Sequence, residues 1–147
     1  MTLRLVLRNA LPEVERMAES ILAWGRDAGL SEAFVGELRL VLEELTENAI
    51  RYGYPSGVNG HIEVRLALTA TDVTAEVEND GVAFDPLAQA PPDLTIPAQD
   101  RPIGGLGIFL VRQLTNGITY GRTSGTNLVS FSMSVPPAST TPEKARG

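Results

Sequence analysis

The pattern of hydrophobic and polar positions in the first part of the chain predicts a strand, two helices and a hairpin. Residues 2–8 alternate in the manner of a half-buried strand, and apolar residues then recur twice at helical spacing. Two further alternating runs, separated by a short polar turn, are typical of a β-hairpin. The predicted elements are a strand at 2–8, helices at 10–27 and 32–52, and hairpin strands at 62–68 and 73–77. Asn9 and Ser31 are the candidate N-caps of the two helices.

The second part of the chain begins with a long segment that lacks periodicity. Residues 80–104 contain five of the ten prolines and predict a loop, which at this length is usually functional or disordered. Glycines then open a third helix, and Ser124-Gly125 forms the turn between two closing strands. These last elements are predicted as a helix at 105–116 and strands at 118–122 and 127–135. Residues 136–147 have the composition of a disordered tail.

This order of elements predicts one domain over residues 1–135 with an α+β fold. We expect a two-layer sandwich, in which a mixed, mostly antiparallel sheet carries its helices on one face. The 147 residues leave no room for a second full domain.

The composition excludes several classes of enzyme. The 12 basic residues are 11 Arg and one Lys, Lys144, which lies in the predicted tail. P-loop NTPases and eukaryotic-type protein kinases both hold phosphates with a lysine, and no lysine is available for that role here. With one His and no Cys, the chain lacks the usual zinc ligands, and any Ser-His-Asp triad would depend on His61.

The net charge and the lengths of the apolar runs indicate which kinds of partner and which compartment to expect. A formal net charge of -6 argues against nucleic-acid binding, because phosphate backbones are bound by clustered Lys and Arg. No run approaches the roughly 20 apolar residues that span a bilayer, and the N-terminus alternates charge with hydrophobe, unlike a signal peptide. We therefore expect a cytoplasmic protein that binds neither membrane nor nucleic acid.

The first chemistry-bearing pair is Glu44 and Asn48. They lie four residues apart on the second predicted helix and therefore on one helical face. A carboxylate and a carboxamide placed in this way can serve as a general base and as an oxygen ligand for Mg²⁺. A solvated helix face can carry the same pair, so the pair alone does not identify a site.

Two further segments are rich in turn residues and glycines. Residues 79–86 read Asn-Asp-Gly-Val-Ala-Phe-Asp-Pro, which would also suit a simple turn after a strand. Residues 104–107 read Gly-Gly-Leu-Gly and open the third helix, whose N-terminus can bind an anion. Arg101 just before them could meet a phosphate or could be solvated. A dinucleotide-binding Rossmann site is excluded, because no βαβ unit surrounds these glycines.

In this order, the segments resemble the motifs of the GHKL ATPase superfamily, specifically its stand-alone bacterial anti-sigma factor serine kinases. The resemblance covers about residues 10–135 and implies a Bergerat-type ATP-binding fold. Glu44 and Asn48 match a first box in which the Glu activates the attacking group and the Asn ligates Mg²⁺. Asn79, Gly81 and Ala83 match an adenine-binding box of the form Asp-x-Gly-x-Gly.

The later motifs of the family are matched as well. Gly105, Leu106 and Gly107 match the phosphate-side box, and the loop before them would form a lid over ATP. Arg101 would help to offset the charge of the terminal phosphate. Thr126 resembles the Thr of a late Gly-Thr pair, which assists adenine binding through water.

Two positions depart from the family pattern. Asn79 stands where an Asp accepts a hydrogen bond from the adenine amino group, and Ala83 stands in place of the second glycine. An Asn can still accept through its carbonyl oxygen, but without the added strength of a charged acceptor.

The resemblance implies an ATP- and Mg²⁺-dependent protein serine/threonine kinase of the anti-sigma type. Its implied partners are a STAS-type antagonist protein, which it phosphorylates, and a sigma factor, which it sequesters, with a homodimer as the expected assembly. The alternative is a non-catalytic partner-switching module on the same fold with weakened nucleotide binding. A simple ATPase is a third interpretation.

Overall fold

The computed structural model describes residues 1–88, 95–97 and 105–137. In this part of the chain, five strands and three α-helices follow one another in the predicted order. They are β1 (Thr2–Arg8), α1 (Pro12–Asp27), α2 (Glu32–Gly53), β2 (His61–Leu68), β3 (Asp72–Asn79), α3 (Gly105–Leu114), β4 (Asn116–Thr123) and β5 (Thr126–Ser134). A short 3₁₀ turn, Pro86–Ala88, follows β3. The predicted lid and tail fall largely on residues 89–94, 98–104 and 138–147, which lie outside the described residues.

The five strands form one sheet in the order β1-β2-β3-β5-β4, and all four pairings are antiparallel. Val64, Val77 and Val129 are direct neighbours across three strands and are all buried. The opposite face of the sheet carries charged side chains, with Arg65 paired to Glu76. The predicted α+β sandwich with helices on one face is therefore confirmed. The expectation of a mixed sheet is wrong, because every pairing among the described strands is antiparallel.

The core lies between this apolar face and the helices. α1 and α2 run against each other, and Gly25 permits their close approach, because a Cβ at this position would lie 2.5 Å from Val35 Cγ2. Residues that are fully excluded from solvent come from both layers: Leu7, Met17, Ile21, Leu38, Val41, Leu42, Ile62, Val64 and Val73. None of the helices in the described ranges combines the length and apolar character needed to cross a membrane.

The two predicted helix caps have different outcomes. Ser31 caps α2, because its Oγ accepts a hydrogen bond of 3.2 Å from Phe34 N. The prediction that Asn9 caps α1 is wrong, since the helix begins after Leu11 without a side-chain cap. Asn9 instead holds the loop before β2: its Nδ2 donates to Val58 O and its Oδ1 accepts from Gly60 N.

Candidate nucleotide site

The chemistry-bearing residues meet at one end of the helix-covered face of the sheet. The C-terminal half of α2, the end of β3, the start of β5 and the first turn of α3 converge there. The site residues that the structure brings to this place are Glu44, Asn48, Asn79, Gly81, Gly107 and Asn127.

Glu44 and Asn48 contact each other on α2, as their spacing predicts. Asn48 Nδ2 donates a hydrogen bond of 3.2 Å to Glu44 Oε2, and Asn48 is only 2% exposed. Burial raises the pKa of the half-buried Glu44, while the hydrogen bond from Asn48 opposes that rise. Because the nitrogen of Asn48 faces Glu44, the Oδ1 of Asn48 is the atom available to a ligand.

Asn48 Oδ1 fits the role of a magnesium ligand. Mg²⁺ prefers oxygen ligands and is commonly held by one or two protein groups together with substrate phosphates and water. Across the described ranges, no group of three His, Asp or Glu side chains could hold a metal by itself. The donor set therefore fits a cation that arrives with a nucleotide better than one in an all-protein cage.

Gly107 lies directly against the carboxylate of Glu44. It is the third residue of α3, and a Cβ at this position would overlap the Glu44 carboxylate. The resemblance implies that Gly107 contacts the phosphates. In the structure, the lack of a side chain at Gly107 also makes room for the carboxylate of Glu44. Gly105 and Leu106 form the start of the same helix, whereas Arg101 lies outside the described residues.

Asn79 ends β3 on the helix-covered side of the sheet and has its carbonyl oxygen fully engaged. Its Oδ1 accepts from Gly81 N at 2.9 Å and from Asn127 Nδ2 at 3.0 Å. Both lone pairs of the oxygen are thus used within the protein. The expectation that Asn79 accepts from adenine through this oxygen therefore does not fit the observed geometry.

Asn127 is a residue that the sequence analysis missed. It is 1% exposed, and its Nδ2 also donates to Val82 O at 2.8 Å. Its Oδ1 accepts from Tyr120 Oη at 2.6 Å and from Arg122 Nη1 at 2.9 Å. The available signal was its place in β5, where it alternates in phase with the buried Val129 and is polar on an otherwise apolar face.

Thr126 lies on the other side of β5. It alternates out of phase with Asn127 and borders a cavity of about 160 Å³, whose lining includes His61, Glu78, Asn79 and Asp80. The structure therefore does not bring Thr126 to the face where Asn79 joins Asn127, in contrast to the role that the resemblance implies.

Gly81 joins the adenine-box segment to α2. It is buried, and a Cβ on it would overlap the carbonyl oxygen of Gly53, the last residue of α2. The next residue, Val82, donates its N–H to that oxygen at 2.7 Å. Ala83 is exposed, so the structure accommodates a side chain where the family pattern has its second glycine.

The cavity beside Asn79 is almost closed. Its volume is about 10 Å³, room for no more than about one water molecule. The lining residues are Leu45, Ala49, Val77, Asn79, Phe84, Pro86, Asn127 and Val129. The Phe84 ring also lies 5.0 Å from the ring of Tyr52. A purine can enter here only if Phe84 and Pro86 move away from α2.

A larger groove, of about 740 Å³, crosses the open face of the sheet. Its charged groups are already paired with neighbours: Arg4 binds Glu63, and Arg65 binds Glu76. It lies on the face of the sheet opposite the helices, away from the Glu44–Asn48 pair. The smaller cavity is lined by Leu45 and Ala49 of the same helix as that pair, so the chemistry favours the smaller cavity.

Several characterised proteins are similar to this chain. The serine/threonine-protein kinase BtrW of Bordetella bronchiseptica is 25% identical over 126 residues, which cover 83% of this chain and 89% of BtrW. The serine-protein kinase RsbW of Listeria monocytogenes is 24% identical over 106 residues, covering 69% of this chain and 68% of RsbW. The anti-sigma F factor of Clostridium novyi is 24% identical over 109 residues, covering 66% and 76%.

The fold has a solved counterpart. The crystal structure of the RsbU and RsbW domains of Rv1364c from Mycobacterium tuberculosis matches with a TM-score of 0.67 at 18% identity. The match covers 96% of this chain and 35% of that chain, and it bears on the fold alone. The sequence model of the histidine kinase-like ATPase domain matches residues 7–133. This chain therefore belongs to the family of histidine kinase-like ATPase domains.

Proposed function

We propose that this chain is a nucleotide- and Mg²⁺-dependent protein serine/threonine kinase of the anti-sigma regulatory type, with ATP as the family's nucleotide. The observation that carries the proposal is the Asn48–Glu44 hydrogen bond beside the first turn of α3. The partly buried carboxylate of Glu44, the free amide oxygen of Asn48 and the N-terminus of α3 thus lie within one site. The kinase names of BtrW and RsbW support this choice of reaction.

Glu44 is proposed to take the proton of the acceptor hydroxyl as the hydroxyl oxygen bonds to the terminal phosphorus. The bond between that phosphorus and the departing nucleoside diphosphate breaks in the same transfer. Its raised pKa suits this role, because a general base works best when its pKa lies nearer the working pH. Asn48 holds the base in place through Nδ2 and would hold Mg²⁺ through Oδ1. When bound, Mg²⁺ would supply positive charge that offsets the charge of the phosphates.

The opening of α3 is the proposed phosphate site. The N–H groups of Gly105, Leu106 and Gly107 belong to a first helical turn, where backbone donors lack partners within the helix. Arg101 is proposed to offset charge on the terminal phosphate. The purine would lie beside Asn79 and Gly81 with its 6-substituent toward Asn79, and Ala83 would stand at the edge of this site. Thr126, on the other face of β5, would act on the purine only indirectly, through water.

The partners are proposed from the relatives. An anti-sigma F factor and RsbW are among the similar proteins, which supports a sigma factor as the sequestered partner. We propose a STAS-type antagonist as the phosphorylated protein, a homodimer as the assembly and the cytoplasm as the compartment.

The second candidate is a non-catalytic partner-switching module. The closed cavity of about 10 Å³ and the engaged oxygen of Asn79 both favour it, because they weaken binding of adenine. Calorimetry of nucleotide binding with and without Mg²⁺ separates the two functions. A kinase binds nucleotide with Mg²⁺ dependence, whereas a decayed site binds none.

Phosphate transfer to a STAS-type protein completes the test. We expect transfer to be lost in Glu44→Gln while nucleotide binding remains. Glu43→Gln is the matched control, because Glu43 is the adjacent residue of α2 and pairs with Arg39 rather than with Asn48. Equal loss of transfer in both variants would contradict the assignment of Glu44 as the base.

A further inference from the structure

The orientation of the Asn79 amide is fixed by groups whose hydrogen-bonding roles cannot change. Gly81 N–H can only donate, and it donates to Asn79 Oδ1 at 2.9 Å. The second donor to this oxygen is Asn127 Nδ2, whose own orientation is fixed at both ends. Val82 O can only accept from that nitrogen, and Arg122 can only donate to the Asn127 oxygen.

This network occupies the oxygen of Asn79 and leaves its nitrogen available. Among the described residues, Asn79 Nδ2 donates no hydrogen bond, and the residue is only partly buried. Asn79 lines the cavity together with Ala49 of α2 and Phe84. The polar group that Asn79 offers to a base in this cavity is therefore a donor.

Rotation of the amide would not restore an acceptor. A half-turn would place the Asn79 nitrogen against Gly81 N–H and Asn127 Nδ2, so that three donors would face one another without an acceptor. Leaving buried donors unpaired costs more than a single hydrogen bond returns. The side chain therefore stays in the orientation that offers Nδ2.

We propose that this site prefers a purine with a carbonyl oxygen at position 6 over adenine. The inference rests on the proposed function in taking the nucleotide site, and the direction of the base within it, as given. The 6-amino group of adenine is a donor and would oppose Asn79 Nδ2, whereas a 6-carbonyl accepts from it. Asn79 is thus a residue that determines base specificity, and inosine and guanosine triphosphates are the favoured class of nucleotide.

The test compares ATP with inosine triphosphate (ITP), which carries oxygen in place of the 6-amino group. Calorimetry with Mg²⁺ on the full chain should show ITP binding more tightly than ATP. In Asn79→Asp, the carboxylate keeps an oxygen for Gly81 and Asn127 and presents a second oxygen to the base. The preference should then reverse, with ATP about tenfold tighter than ITP, which is the effect of one hydrogen bond gained and one repulsion added.

The control is Asn59→Asp, which makes the same isosteric change and adds the same charge at an exposed loop residue. It should leave the ratio of the ATP and ITP dissociation constants unchanged. If Asn79→Asp does not fold, as judged by its thermal melt, the wild-type ratio still decides the proposal.

The outcomes separate the two proposals. ATP binding more tightly than ITP in the wild-type chain would overturn the base preference and leave the kinase proposal standing. Absence of binding by any nucleotide, in the wild type and in Asn79→Asp alike, would overturn both. A change in the ratio for Asn59→Asp as large as that for Asn79→Asp would also overturn the base preference, because charge alone would then explain it.

Discussion

The carboxylate of Glu44 on α2 lies against the backbone of Gly107 on α3, in the space that any side chain on Gly107 would fill. The two residues are 63 positions apart in the chain and belong to different sequence motifs. Their contact places the proposed base beside the helix N-terminus that would bind phosphates. The orientation of α3 is thus tied directly to the position of the base.

Gly107→Ala should therefore disturb both stability and function. The added methyl group must displace Glu44 or α3, and overpacking of this kind typically costs about 1–3 kcal/mol of unfolding free energy. We expect a lower urea midpoint and weaker Mg²⁺-dependent nucleotide binding. Gly36→Ala is the control, since a Cβ there has no neighbour within 4 Å. That change should stabilise α2 by about 0.5–1 kcal/mol. Equal effects of the two substitutions would contradict the packing argument.

Asn48→Ala and Glu44→Ala should fail in different ways. Loss of Asn48 removes the proposed Mg²⁺ ligand, so nucleotide binding should lose its dependence on Mg²⁺. Loss of Glu44 should spare binding and abolish phosphate transfer, because a base acts on the proton that moves in the transition state. Calorimetry and a transfer assay on each variant measure the two effects. If Glu44→Ala weakens nucleotide binding as much as Asn48→Ala does, the two roles are assigned wrongly.

As the pH is lowered, the rate of phosphate transfer should begin to fall at a higher pH than it would if the base were a glutamate with an ordinary pKa. Burial raises the pKa of Glu44 above 4.5, the hydrogen bond from Asn48 lowers it, and the nearby charge of Glu47 raises it again. Since the carboxylate is the active form, the acid limb follows this pKa. Glu47→Gln should move the limb to lower pH, and Asn48→Ala should move it to higher pH. A pH–rate profile that does not respond to Glu47→Gln would count against Glu44 as the titrating base.

The raised pKa of Glu44 also determines the direction in which this group changes the stability of the fold with pH. The folded chain holds the Glu44 proton more tightly than the unfolded chain does. The stabilising contribution of this group is therefore fully present below its unfolded pKa and is lost as the pH rises through the folded pKa.

The secondary structure could be predicted because its signals are local. The alternation in residues 62–68 and the helical spacing in residues 32–52 each state which face of an element is buried, and the structure confirms both elements. Asn9 shows where local reasoning fails. An Asn before a helix suits a cap, but here it binds Val58 and Gly60, which are about 50 residues away in the chain.

The geometry of the site depends on the order of the strands in the sheet, which local sequence patterns do not predict. β5 pairs with both β3 and β4, so Asn127 lies beside Asn79, 48 residues earlier in the chain. A reading of motifs selects Thr126, the adjacent residue, and a shift of one residue in a strand places the side chain on the other face. The departure of Asn79 from the family pattern was visible in the sequence, but the occupation of its oxygen was not.

Asn127→Ala should test this network as a unit. The substitution removes the donor to Asn79 and Val82 and the acceptor for Tyr120 and Arg122. Because Asn127 is almost fully buried, leaving these groups unpaired should cost about 2–3 kcal/mol of unfolding free energy, measured by urea denaturation. The substitution also frees one lone pair of Asn79, so the preference for ITP over ATP should shrink.

Tyr120→Phe is the graded control for that change. It removes a single hydroxyl from the network and leaves Asn127 bonded to Asn79, so it should cost only about 0.5–1.5 kcal/mol. It should also leave the ITP to ATP preference unchanged, because the oxygen of Asn79 keeps both of its donors. If Tyr120→Phe alters the preference between ITP and ATP as much as Asn127→Ala does, a general loosening of the strand ends would explain both changes. The orientation of the Asn79 amide would then not determine the preference between ITP and ATP.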